Sequence, residues 1–293
     1  MSATTTNAPA AAEAPPRRRA SRWLRRHPVP VLGALLLAAL VVLSLGAPWI
    51  APFDPFEMNV VDRLMPPGGD YLFGTDAYGR DILSRTLHGG RVSLVIGIAV
   101  ALASTVLGLV IGIIAGYFRT ADAIIMRVMD GLMAIPGILL AIALMSLTRA
   151  SIGVVILAIT VPEIPRVVRL VRAVVLTVRE QTYIQAAAAI GTRFPRLLRR
   201  HILPNTMAPL IVMATYICAS AVLVESYLSF LGVGTPPEIP SWGNIIAEGR
   251  LYVQLAFWNI GFPGIFLALM VLSINLLGDG LRDLLDPRMA RRL

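Results

Sequence analysis

Three carboxylates stand inside long apolar stretches of this sequence, Asp130, Glu163 and Glu225. Ionisable side chains are expensive in hydrocarbon, so each marks an ion pair, a proton relay, a gate or a cargo contact. Asp130 has Arg127 one turn away and Arg166 or Arg169 within reach, a pattern that favours a structural ion pair. Glu163 lies between Pro162 and Pro165, where it lines a cavity or carries a paired charge at a helix end. Glu225, near one end of its stretch, suits a gate or a contact with another chain. A membrane enzyme is poorly served: the sequence has no Ser/His/Asp or Cys/His set, no HExxH and no clustered carboxylate pair. Every basic residue is Arg, so a phosphate-binding loop with its invariant Lys cannot exist here. Cys218 is the sole cysteine and reads as a small packing residue, and the lone His88 beside glycine reads as solvated.

The elements that must position these groups are membrane spans. Of 293 residues, 56% are hydrophobic and 15% charged, too apolar for a soluble domain of this size. The net charge of +9 does not point to nucleic acid, because the arginines are scattered through loops between apolar spans. Residues 1–28 form a low-complexity basic tail without expected structure. Six apolar spans come after it, at 29–50, 92–118, 123–148, 152–175, 206–231 and 260–281. A cleaved signal peptide is the competing reading of the first, but its run is long for one and more spans lie beyond it. The spacing predicts a kink at Pro136, a break around Pro162 and Pro165, and a close-packing ladder at Gly108, Gly112 and Gly116. Residues 29–91 hold the first span and a polar segment, with a short helix capped by Thr75 or Asp76, an Asp81–Arg85 pair and an end at Gly89. Trp242, Tyr252, Phe257 and Trp258 read as interfacial aromatics. Placing both termini in the cytoplasm puts about twenty of 26 arginines inside, as the positive-inside rule asks.

Residues 180–205 are the one long basic interruption. An alanine-rich helix, lacking bulk, lets another protein's backbone come close. Gly191 ends it, Thr192 caps a second helix, and Pro195 fits its first turn. Phe194, Leu197, Leu198 and His201 share one side of that helix, with Arg193, Arg196, Arg199 and Arg200 around the rest. Pro204 stops it, and Asn205 caps the next span. An amphipathic loop lying on anionic lipid is the alternative.

The run Gln185-Ala186-Ala187, Gly191 and Leu203-Pro204 resembles the EAA motif of ABC-importer permeases. Gln185 stands where Glu is usual and His201 where isoleucine is, departures that look like the peptide-importer branch. Gly74-Thr75-Asp76, Gly79-Arg80-Asp81 and Ser84-Arg85, the segment around Glu225, and the tail from Gly278 resemble the C-type subunit of dipeptide and oligopeptide permeases. The resemblance implies an all-α fold of six transmembrane helices, with the permease domain at 92–281 and a cytoplasmic tail at 282–293. Its ATPase-coupling residues would be Gln185, Ala186, Ala187, Gly191, Arg196, Arg199, His201, Leu203 and Pro204. It implies a homologous second permease, two ATPase subunits or one fused ATPase, and an extracytoplasmic binding protein. No cofactor would bind this chain; ATP and Mg would sit in the ATPases. The same machinery carrying nickel, glutathione or haem, and a proton-coupled transporter using Asp130, Glu163 or Glu225, are the rival readings.

Overall fold

A computed structural model describes residues 28–285, so the basic tail before Pro28 and the tail beyond Leu285 lie outside the described residues. Every named element is helical: α1 (Pro28–Leu45), α2 (Ala47–Ile50), α3 (Ile82–Tyr117), α4 (Arg119–Met133), α5 (Gly137–Ser146) and α6 (Ile152–Arg179). Then come α7 (Thr182–Ala189), α8 (Phe194–Leu197), α9 (Leu203–Phe230), α10 (Trp242–Gly249) and α11 (Trp258–Leu285).

Among the described residues four helices are long and apolar enough to cross a bilayer: α1, α3, the run Phe194–Phe230 and α11. The α4–α5 pair makes a fifth candidate, bent by 87° where Pro136 breaks the ladder. The expected kink is therefore a sharp elbow. The expected count of six is not reached on apolarity, because α6 carries Glu163, Arg166, Arg169 and Arg172 from its middle onward. Nor is α6 broken. It runs through Pro162 and Pro165 for 28 residues, since each proline removes one backbone donor while packing against α3, α5 and α9 holds the helix.

The α3–α6 contact is the most extensive seam of the core. A Cβ on Gly108, Gly112 or Gly116 would lie 2.4, 2.7 or 2.7 Å from the Cβ of Val167, Val171 or Val175. The predicted ladder is thus a surface of missing side chains into which three valines fit. In a membrane such a seam is held by van der Waals packing, which the close approach of the two backbones permits.

The polar segment departs from expectation. Asp81, not Thr75 or Asp76, caps the helix, its carboxylate accepting from the Ser84 N–H at 2.7 Å. The helix does not stop at Gly89 but runs on to Tyr117, 36 residues in all, so residues 82–91 belong to α3. Gly89 and Gly90 are there for room: a Cβ on Gly90 would meet Ser44 Oγ at 2.3 Å and the Trp242 ring at 2.9 Å. Trp242 and Trp258 are not interfacial but buried, their indole N–H groups donating to the Thr86 and Thr75 carbonyls at 2.9 and 3.2 Å. His88 is half-buried, a ring nitrogen 2.9 Å from the Ser84 carbonyl oxygen. Cys218 packs behind Gly97, as a small residue there should.

The start of α1 packs on the end of α11, with Pro30 against Gly280 and Gly33 against Leu276. Tyr117 at the end of α3 stacks on Phe194. Both helix ends and the 180–205 loop therefore share one end of the bundle, and residues 51–81 and 232–257 cap the other.

Candidate functional site: a docking loop and the groove beside it

The loop forms as its residues dictate. Ile184 is buried and anchors α7, while Gln185, Ala186, Ala188, Ala189 and Ile190 are exposed, Ile190 at 84%. Gly191 takes φ +82°, the left-handed conformation that glycine adopts without strain, and the Gly191 and Thr192 N–H groups bond back to the Ala188 and Ala187 carbonyls. Thr192 does not cap the second helix; Arg193 occupies the cap position without a side-chain bond. Pro195 sits in the first turn, Leu197 is buried and Phe194 packs on Tyr117 at 4.2 Å. His201 lies 5.7 Å from the Tyr183 ring, and Ala187 and Leu203 are half-buried.

Pro204 does not end the helix. Leu198–Ile202 forms a π turn, a wider loop of backbone that absorbs the missing proline N–H, and the chain runs on helically from Phe194 to Phe230. Asn205 is no cap; its Nδ2 donates to the His201 carbonyl at 2.6 Å. Arg193, Arg196, Arg199 and Arg200 are exposed and form no ion pair among the described residues. The result is a low, partly apolar platform ringed by cations.

Pro204 and Asn205 also line a groove of about 1070 Å³ between α6, α9 and α11. Each helix turns one face to it: Arg166 and Leu170; Pro209, Val212 and Tyr216; Asn275, Asp279 and Arg282.

The three carboxylates do not come together. Asp130 is exposed and accepts from Arg169 Nη2 at 2.6 Å, the pairing its sequence position suggested. Glu163 is buried within α6, not at a helix end, and accepts from Arg166 Nη1 at 2.9 Å. Glu225 is fully buried near the opposite end of α9. It accepts from the hydroxyls of Ser229, Thr235 and Ser93 at 2.8, 3.3 and 3.4 Å. Such a closed network holds α3, α9 and the 231–241 turn together.

Beyond this lies an ion quartet that spacing alone did not reveal. Arg80 and Arg85 both bond Asp76 and Glu248, and Arg85 is 2% exposed in its side chain. The expected Asp81–Arg85 pair is absent because Asp81 is occupied by Ser84. Glu248, more than 160 positions away, gives no local signal. Nearby, Asp62 accepts from the Tyr71 hydroxyl at 2.9 Å and holds that phenol above its ordinary pKa.

A helical bundle with a basic platform and a lateral groove is the architecture of an integral-membrane transport subunit. The chain belongs to the family of binding-protein-dependent transport system inner membrane components, whose profile matches residues 108–291; residues 15–67 match the N-terminal transmembrane domain of oligopeptide transport permease C. It is 51% identical over 271 residues to a probable peptide ABC transporter permease protein of Sinorhizobium fredii, covering 92% of this chain and 93% of the relative. It is 42% identical to the di/tripeptide transport system permease protein of Pseudomonas aeruginosa, over 90% of this chain and 89% of that one. In fold it matches a chain of the MetNI methionine ABC transporter, solved in inward-facing conformations, with a TM-score of 0.58 and 20% identity over 69% of this chain and 96% of that chain.

Proposed function

We propose that this chain is one of two permease subunits of an ATP-driven importer of short peptides, working by alternating access. The observation that carries the reading is the platform on α7 and α8: an exposed small-residue face with uncommitted arginines, at the end of the bundle where the groove opens. Such a face suits a cleft with an acidic rim in an ATPase, whose closure would shift the π turn and with it the groove wall. The names of the relatives support peptide cargo. Two ATPase subunits, or one fused ATPase, would bind ATP and Mg, since a chain without Lys carries no Walker loop. An extracytoplasmic binding protein would meet the opposite end, at residues 51–81 and 232–257.

The test is charge reversal at Arg196 and Arg199 together, in the full complex. The expected result is docking weaker by about tenfold or more, near 1.4 kcal/mol, with loss of binding-protein-stimulated ATP hydrolysis while the chain stays inserted. Normal assembly and coupled hydrolysis would refute the assignment.

Orientation gives a second prediction. In a Cys218→Ser background, Met65→Cys and Pro237→Cys should react with an impermeant maleimide on intact cells, and Arg193→Cys only after permeabilisation. All three positions are exposed. Reaction at 193 from outside would place the platform on the wrong face of the membrane.

A further inference from the structure

We propose that Arg166 is the carboxylate-binding group of the groove, and that it receives the terminal carboxylate of the transported peptide. This rests on the peptide-importer reading above.

Arg166 is the fifteenth of 28 residues in α6, and Tyr216 the fourteenth of 28 in α9. At 1.5 Å per residue Arg166 lies about 20 Å from either end of its helix. A guanidinium half-way along a helix packed against α3, α5 and α9 needs a support. The support is visible on two sides. Glu163, buried one turn earlier on the same helix, accepts from Nη1 at 2.9 Å. The guanidinium carbon stands over the Tyr216 ring, 5.4 Å from its centroid. Glu163 and Tyr216 act as positioning residues: one fixes a corner of the fork, the other its plane.

Both contacts leave donors over. A guanidinium carries five N–H groups, and Glu163 takes one. The side chain remains 44% exposed, and Arg166 lines the groove. A planar, oriented guanidinium with free N–H groups facing an open cleft is complementary to a carboxylate, which it binds through two parallel hydrogen bonds.

Beside Arg166 the groove is walled by apolar side chains at Leu170, Val212 and Met213, which suit the body of a short peptide whose carboxylate the guanidinium holds. Every unmodified peptide has a terminal carboxylate whatever its side chains. One such contact therefore serves a broad range of cargo without preferring any residue type.

The experiment uses the whole complex in proteoliposomes, with saturating binding protein whose affinity for each peptide is measured separately. Uptake of a free-acid tripeptide is compared with that of its C-terminal amide, in wild type, Arg166→Gln and Arg166→Lys. The expected result is a preference for the free acid in wild type that falls by roughly 10- to 100-fold in Arg166→Gln and partly returns in Arg166→Lys. Equal loss for acid and amide, with the preference intact, would reduce Arg166 to a structural ion pair and overturn the proposal. So would an unchanged ratio with unchanged uptake. A defect that appears only on replacing phosphatidylglycerol with phosphatidylcholine, and not on amidating the peptide, would assign the site to lipid and overturn it as well. Wild-type complex that carries neither peptide would instead bring down the peptide reading itself, and this inference with it.

Discussion

Arg85→Ala should destabilise the folded chain by about 3–5 kcal/mol, the range for breaking a buried ion pair from one side. Arg85 is 2% exposed in its side chain and bonds both Asp76 and Glu248. Removing it leaves two carboxylates sharing Arg80, Asp76 at 6% exposure and Glu248 at 28%. The damage should spread, because the quartet ties the turn before α3 to α10. Thermal unfolding of the purified complex in detergent, with the fraction of monodisperse chain, measures it. Arg80→Ala should cost less, as Arg85 still bridges both acids. The partnered variant Asp76→Asn/Arg85→Met should recover part of the loss, because it removes charge on both sides. An Arg85→Ala protein that melts within a degree of wild type would show that solvent or a neighbour already satisfies those acids.

Gly112→Ala is expected to have a comparable effect from the addition of a single methyl group. That carbon would lie 2.7 Å from Val171 Cβ and 3.0 Å from the Val168 carbonyl oxygen, and neither belongs to a flexible side chain. Overpacking of this kind typically costs about 1–3 kcal/mol, more where backbone must move. Here two long helices would have to separate. Gly131→Ala provides the control: its Cβ meets nothing within 4 Å, so it should be silent or slightly stabilising in a helix interior. Moving the small residue across the seam, in Gly112→Ala/Val171→Gly, should restore part of the lost stability. If the single variant expresses and melts like Gly131→Ala, the α3–α6 seam is looser than its geometry implies.

The range of each interaction decides how far the sequence revealed it. The glycine ladder and the left-handed Gly191 are signalled by local spacing, and the structure contains both; Arg169, 39 positions from Asp130, is one of the candidate partners that the span order offered. The bend after Met133 was legible as a proline, though not its 87° angle, which packing decides. The prolines at 162, 165 and 204 mislead because a lost donor alone does not end a helix. In the fold, burial outweighs one donor in α6, and a π turn absorbs the loss at Pro204. Gly89 misled similarly, having been placed for space beside Trp242 and not for conformation. The quartet's Glu248 and the hydroxyls around Glu225 come from distant segments, so no spacing rule reaches them.

The π turn at Leu198–Ile202 has a mechanical consequence. Because the helix does not break at Pro204, residues Phe194–Phe230 form one rod of 37 residues, about 55 Å long. One end carries the arginine platform and the other is pinned by Glu225 to α3 and to the outer turn. A lever pivoting near the Tyr216 ring that supports Arg166, 22 residues from Phe194 and 14 from Phe230, moves its two ends in opposite directions. A tilt of ~10° about that fulcrum displaces the platform end by ~6 Å and the other end by ~4 Å. Force applied at the platform would therefore open one mouth of the bundle in the same stroke that closes the other, with no separate signal needed between the two faces of the membrane.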